Sequence, residues 1–149
     1  MLALRAANDD DFPHLITDAR VADVETLGHI RRITQRMIAA GEVGAWLIIV
    51  EGEIVGMIGY HAPPSLEGEV EIGYNVAPAR ERRGYATAAV GRVIENARTD
   101  VRITAIIAET DLANVGSQIV LERNGFAETG RIASDEPSGI SIRWRRTLR

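Results

Sequence analysis

Between residues 70 and 76 apolar and polar positions alternate. Val70, Ile72, Tyr74 and Val76 fall on one side, and Glu71, Gly73 and Asn75 on the other. A period of two built on β-branched and aromatic residues predicts a strand. Pro78 ends it, because proline has no N–H to give a sheet ladder. The period then changes. Ala86, Ala89, Val90, Val93 and Ala97 recur at helical spacing and predict an amphipathic helix ending near Arg98.

The same reading extends along the chain. Residues 1–6 form a short strand. Asn8, Asp9 and Asp10 suit a helix N-cap, and residues 12–20 place Phe12, Leu15, Ile16 and Ala19 on one helical face. Asp23 caps a second helix reaching Ala40, with Leu27, Ile30, Ile33, Met37 and Ile38 apolar and Gly41 closing it. Residues 45–51 and 53–61 are strands turning at Gly52, a hairpin. Pro63 and Pro64 break the chain into a loop over 62–68. Residues 101–108 read as a strand with long apolar stretches, as one covered on both faces would be. A helix over 114–124 ends at Gly125 and Phe126. Strands at 127–132 and 140–146 flank a polar turn at 135–139, the second expected at an edge where a homodimer would pair. No repeat or linker interrupts the pattern, so residues 1–149 are read as one domain.

Composition narrows the classes. The 149 residues, 46% of them hydrophobic, suffice for one core. No apolar run is long enough to span a bilayer, and no secretory h-region is visible, so no membrane partner is expected. The absence of cysteine excludes disulfides, thiolate catalysis and cysteine-based zinc sites, and fits a cytoplasmic protein. A net charge of -4 argues against nucleic acid. All 17 basic residues are arginines, which excludes a Schiff-base lysine. His14, His29 and His61 lack metal-ligand spacing, so no metal is expected.

The candidate chemistry gathers around the organising strand and helix. Gly84 sits where the loop becomes helix. The first helical N–H groups lack partners there, the helix dipole is positive, and glycine admits close approach. With Arg80, Arg82 and Arg83 this makes a phosphate or pyrophosphate site. The plainer alternative is a strand–helix connection with solvated arginines. A P-loop is disfavoured because no Lys-Ser/Thr follows Gly84. Asn114 suits a helix N-cap and Ser117 a solvated helix position. Glu71 shares a strand face with Glu69, Gly73 and Asn75. His61, at a strand end, is a second candidate base. Trp46 and Trp144 fill the core or line an edge. Arg143, Arg145, Arg146 and Arg149 form a basic tail, either a solvated face or a contact for an acidic partner.

Residues 76–87 resemble motif A of the GCN5-related N-acetyltransferase (GNAT) superfamily, Arg/Gln-x-x-Gly-x-Gly/Ala. Gly84 and Ala86 match its fourth and sixth positions, and Glu81 departs from its first. Glu71-Ile72-Gly73-Tyr74 and Gly84-Tyr85-Ala86-Thr87 resemble the ribosomal-protein (Rim) branch. Asn114-x-x-Ser117 with Leu121-Glu122-Arg123-Asn124-Gly125-Phe126 resembles motif B. The element order is likewise similar to the GNAT order. The resemblance implies an α+β (mixed α/β) fold with a mostly antiparallel twisted sheet, splayed in the middle and flanked by helices.

The resemblance also implies roles. Val76, Ala77, Arg82, Arg83, Gly84, Tyr85, Ala86 and Thr87 would bind acetyl-CoA, and Asn114 its pantetheine arm. The backbone N–H near Val76 would stabilise the oxyanion. A strand carboxylate, Glu71 or its competitor Glu69, would take the amine proton directly or through water. Ser117 would protonate the thiolate, since Leu121 stands where many relatives carry a tyrosine. The implied activity is direct acetyl transfer to a primary amine, on a protein N-terminus or a small molecule. Leu121 and Glu81 keep open a non-catalytic acyl-CoA-binding sensor.

Overall fold

One mixed sheet carries the structure, a computed structural model in which residues 1–15 and 21–148 are described. Its strands are β1 (Leu2–Ala6), β2 (Ala45–Val50), β3 (Glu53–Tyr60), β4 (Glu69–Val76), β5 (Ala105–Asp111), β6 (Ala127–Ala133) and β7 (Ile140–Thr147). Their spatial order is β1-β2-β3-β4-β5-β7-β6. All neighbours are antiparallel except β4 and β5. A parallel pair needs a crossover, and α3 (Tyr85–Arg98) supplies it. The other helices are α1 (Phe12–His14), α2 (Val24–Ala39) and α4 (Val115–Arg123). The mixed α+β architecture is the one expected.

Local chemistry sets the boundaries. The Asp23 carboxylate accepts from the Thr26 N–H at 2.7 Å and starts α2. Gly41, at φ +78°, follows its end. At the β2–β3 hairpin Glu51 and Gly52 take φ of 50° and 80°, the left-handed pair of a tight hairpin turn. A 3₁₀ turn at Asp9–Asp11 leads into α1. The helix expected over 12–20 begins there, but residues 16–20 lie outside the described residues.

Two expectations are corrected. Residues 101–102 are a turn and 103–104 are irregular, and β5 runs later than the expected 101–108. The Asp100 carboxylate accepts the Arg102 N–H at 3.0 Å and holds the chain in that turn. Ile103 is buried yet irregular, which is why an apolar run there resembled a strand. Second, β7 is an interior strand between β5 and β6, so it offers no edge for pairing across a dimer. Its arginines are occupied within the fold. Arg145 pairs with Glu69, Arg143 lies 3.9 Å from Glu109, and Arg146 donates to the Asn124 carbonyl. Arg149 lies outside the described residues.

Strand alternation divides the core between the two faces of the sheet. Val70 and Ile72 pack with Ala89, Val90 and Val93 of α3 and with Leu121 of α4. Met57 and Leu47 pack with Phe12, Leu15 and Leu27 from the α1–α2 region. Trp144 is buried, and its indole N–H donates to the Thr110 hydroxyl at 2.9 Å. Trp46 meets Tyr60 edge to face, ring centres 5.4 Å apart.

Candidate active site

The site begins where β4 and β5 part. They pair only at Glu69–Ala105, Val70–Ile106 and Glu71–Ile107. Yet β4 continues to Val76 and β5 to Asp111. The backbone directions follow from the outer ladders. The Ala77 N–H donates to the Val55 carbonyl at 2.8 Å, and the His61 N–H to the Glu71 carbonyl at 2.9 Å. Odd residues of this strand therefore turn their backbone groups towards β3, and Tyr74 and Val76 turn theirs into the gap. On the other side Leu112 donates to Ile140 at 3.0 Å, so even residues of β5 face β7 and Glu109 faces the gap. An extended polar chain lying in this gap would meet a ready-made ladder, as an added strand does.

At the end of β4 a 3₁₀ turn, Pro78–Arg80, leads to the start of α3. Gly84 is its N-cap, with φ +78°, and no side chain caps the helix. A left-handed residue followed by the right-handed Tyr85 gathers successive N–H groups into an anion-binding nest. A Cβ at Gly84 would meet nothing within 4 Å, so the space above the nest is open. Arg82, at φ 62°, and Arg83 are exposed and make no ion pair among the described residues. Arg80 is paired with Glu53. Tyr85 packs against the core, Ala86 is half-buried, and the Thr87 carbonyl accepts from Asn124 at 3.1 Å. Ala77 is placed differently. Its N–H is held by Val55, and its carbonyl accepts from Arg80 at 2.7 Å.

Across the gap stands α4. Asn114 is its N-cap, its side-chain oxygen accepting the Ser117 N–H at 3.1 Å. The Tyr74 hydroxyl donates to the Ser117 carbonyl at 3.3 Å, tying β4 to this helix. Burial pushes the Tyr74 phenol above its ordinary range. Leu121 is fully buried in the core.

On the opposite face of β4 lies Glu71. His61 and Glu71 form a cross-strand pair, and His61 Nδ1 lies 3.1 Å from Glu71 Oε2. This hydrogen bond holds the Glu71 carboxyl below its ordinary range against partial burial, with help from the charges of His61 and Arg143. Glu69, the competing carboxylate, is taken by Arg145. Under α2 a cavity of about 230 Å³ is lined by Ile30, Ile33, Met57 and Ile58, with His29 and His61. The structure thus brings Val76, Gly84, Tyr85, Ala86 and Thr87 along one edge of the gap, Asn114 and Ser117 onto α4, and Glu71 onto the other face. The pairing of His61 with Glu71, and of Tyr74 with Ser117, depends on register and helix placement. No local spacing encodes either.

Residues 1–127 match the acetyltransferase (GNAT) domain family. The chain belongs to that family. It is 30% identical over 104 residues to the uncharacterized N-acetyltransferase YjdG of Bacillus subtilis (strain 168). That alignment covers 68% of this chain and 62% of the relative, so this chain spans less than two thirds of the relative's length. Its fold is similar to that of RimL, a ribosomal L7/L12 α-N-protein acetyltransferase solved with coenzyme A. The TM-score is 0.79 at 18% identity, covering 99% of this chain and 94% of that one. A spermidine N-acetyltransferase SpeG chimera from Vibrio cholerae and hSSAT gives 0.78 at 14% identity, covering 99% and 95%. The GNAT fold with its sheet of seven strands is therefore established. Among the described residues no helix is long and apolar enough to cross a membrane.

Proposed function

We propose that this protein is an acetyl-CoA-dependent N-acetyltransferase acting on a primary amine in a ternary complex. One observation carries the reading: the β4–β5 gap, with its inward-turned backbone at Tyr74 and Val76, ends at the open nest of Gly84. The gap suits the amide-bearing pantetheine arm, and the nest with Arg82 and Arg83 suits a pyrophosphate. Acetyl-CoA brings an activated thioester carbonyl. The chain supplies the rest. The Val76 N–H faces the gap as an oxyanion donor. The Asn114 amide would reach the arm from α4, and Ser117 would hand a proton towards the leaving sulfur. Glu71 belongs to the face from which the amine would enter, beside the cavity under α2.

RimL acts on a ribosomal protein and SpeG on spermidine. For this chain either a protein N-terminus or a small amine fits the reading, and the apolar cavity favours an acceptor with an apolar body beside its amine. The site would work in the cytoplasm, where acetyl-CoA and its acceptors meet. A second reading is supported by Leu121. That side chain is buried in the core where many relatives carry a tyrosine, so a binding-only sensor of acyl-CoA is the alternative.

Free thiol release separates the two. The chain has no cysteine of its own, so a thiol reagent sees only liberated CoA. Incubation with acetyl-CoA and a panel of amines and N-terminal peptides is expected to release CoA with at least one. Tight binding without release across the panel would favour the sensor.

A further inference from the structure

We propose that His61 is the residue that takes the amine proton, and that Glu71 acts through it as a positioning residue. This rests on the acetyl-transfer reading above.

The geometry of the pair is specific. His61 and Glu71 face each other across β3 and β4, fixed by the backbone hydrogen bond of 2.9 Å between them. Cross-strand partners point their side chains to the same face. His61 Nδ1 meets Glu71 Oε2 at 3.1 Å. A carboxylate at Nδ1 makes that nitrogen the donor and leaves the Nε2 lone pair as the acceptor. The other nitrogen then lies over Gly73: a Cβ built there would stand 2.6 Å from Nε2. Gly73 therefore keeps clear the place the ring occupies.

His61, not Glu71, reaches the acceptor side. His61 and Gly73 line the cavity under α2, and Glu71 is absent from that lining. Glu71 is also a poor base, because the hydrogen bond from His61 holds its carboxyl below the ordinary range. Among the described residues the charged and titratable groups around the imidazole are Glu71 and Tyr74 on β4, Tyr60 on β3, His29 on α2 across the same cavity, and Arg143 on β7, which acts on Glu71.

The step balances. The amine lone pair forms the C–N bond while the C–S pair departs on sulfur. The surplus proton on nitrogen passes to His61 Nε2. The thiolate takes a proton, and His61 returns its own to solvent, so amine and thioester become amide and thiol.

The test compares His61→Gln, Glu71→Gln, their double variant, Gly73→Ala and His29→Gln for kcat and acetyl-CoA affinity. The His61 side chain is 46% exposed, so its replacement leaves the fold intact. His61→Gln is expected to lower kcat by roughly 10²-fold or more, with acetyl-CoA affinity unchanged. Gly73→Ala should approach that loss by displacing the ring. Glu71→Gln should lose less, and the double variant His61→Gln/Glu71→Gln should be no slower than His61→Gln alone. A purely structural contribution of Glu71 would add a further loss in the double variant. Imidazole nitrogen NMR, which needs no turnover, is expected to show His61 protonated at Nδ1 in the neutral form. The proposal is overturned by a larger loss in Glu71→Gln than in His61→Gln, by a loss that follows His29, or by a proton on Nε2. An inactive wild type with that NMR signature intact would instead overturn the transfer reading, and the catalytic role with it.

Discussion

The Tyr74 hydroxyl donates to the Ser117 carbonyl at 3.3 Å, so the strand on one side of the gap holds the helix on the other. Tyr74→Phe keeps the ring and removes only this bond. A net loss of about 0.5–1.5 kcal/mol is expected in urea unfolding, the ordinary value for one hydrogen bond. The KM for acetyl-CoA should rise several-fold as α4 loses its tether. Unchanged KM with lowered stability would show that α4 is held by packing alone.

Asn114 has two separable duties. Its oxygen caps α4, and capping is worth about 1 kcal/mol. Its amide donors are the part proposed to meet the cofactor. Asn114→Ala should lose both stability and acetyl-CoA affinity. Asn114→Asp should restore the cap but not the affinity, because a carboxylate has no N–H to offer. Thermal unfolding and calorimetry on the two variants check this.

Acceptor binding is predicted to be separable from cofactor binding. Ile30 of α2 lines the cavity on the face away from α3. Ile30→Phe should fill part of it and raise KM for the amine, with acetyl-CoA affinity unchanged. Steady-state kinetics with each substrate varied in turn would show this. A raised acetyl-CoA KM instead would place the cofactor under α2.

The N-terminal region carries a pH-sensitive clamp. Arg31 Nε lies 2.7 Å from the Asp9 carboxylate, and Gln35 donates to the same group at 2.9 Å. These bonds lower the Asp9 carboxyl from 3.8 to about 2. A depressed folded-state value contributes stability above the unfolded value and loses it as pH falls through the folded one. Asp9→Asn should therefore be less stable than wild type at pH 6, and the difference should close between pH 4 and pH 2. Melting temperatures across that range test it, and a gap that stays constant would contradict the assignment.

Much of this was legible because local chemistry set it. The alternation at 70–76 and the switch to helical spacing after Gly84 placed β4, α3 and the nest between them. Gly125 and Phe126 close α4 as expected, their N–H groups returning to Glu122 and Leu121 at 3.0 Å. The misses were tertiary. Ile103 is buried by packing without joining a strand. The last strand inserts between β5 and β6, a choice that no local pattern in 140–146 encodes. Glu71 was visible as a carboxylate on the right face. Its partner became visible only with the β3–β4 register, since a seven-residue loop leaves that register open. Ala77 shows the opposite limit: it falls within the motif, yet its backbone groups are taken by Val55 and Arg80.

Acetyl-CoA is predicted to lie in the β4–β5 gap with its pyrophosphate on the Gly84 nest. Calorimetric titration of acetyl-CoA into wild type and Gly84→Glu tests it most directly, with urea unfolding as a control for the left-handed backbone at φ +78°. Wild type is predicted to bind and the folded variant to lose binding, because a side chain and a negative charge enter the open space above the nest. Equal binding by a folded Gly84→Glu would contradict the account and move the cofactor elsewhere on the protein.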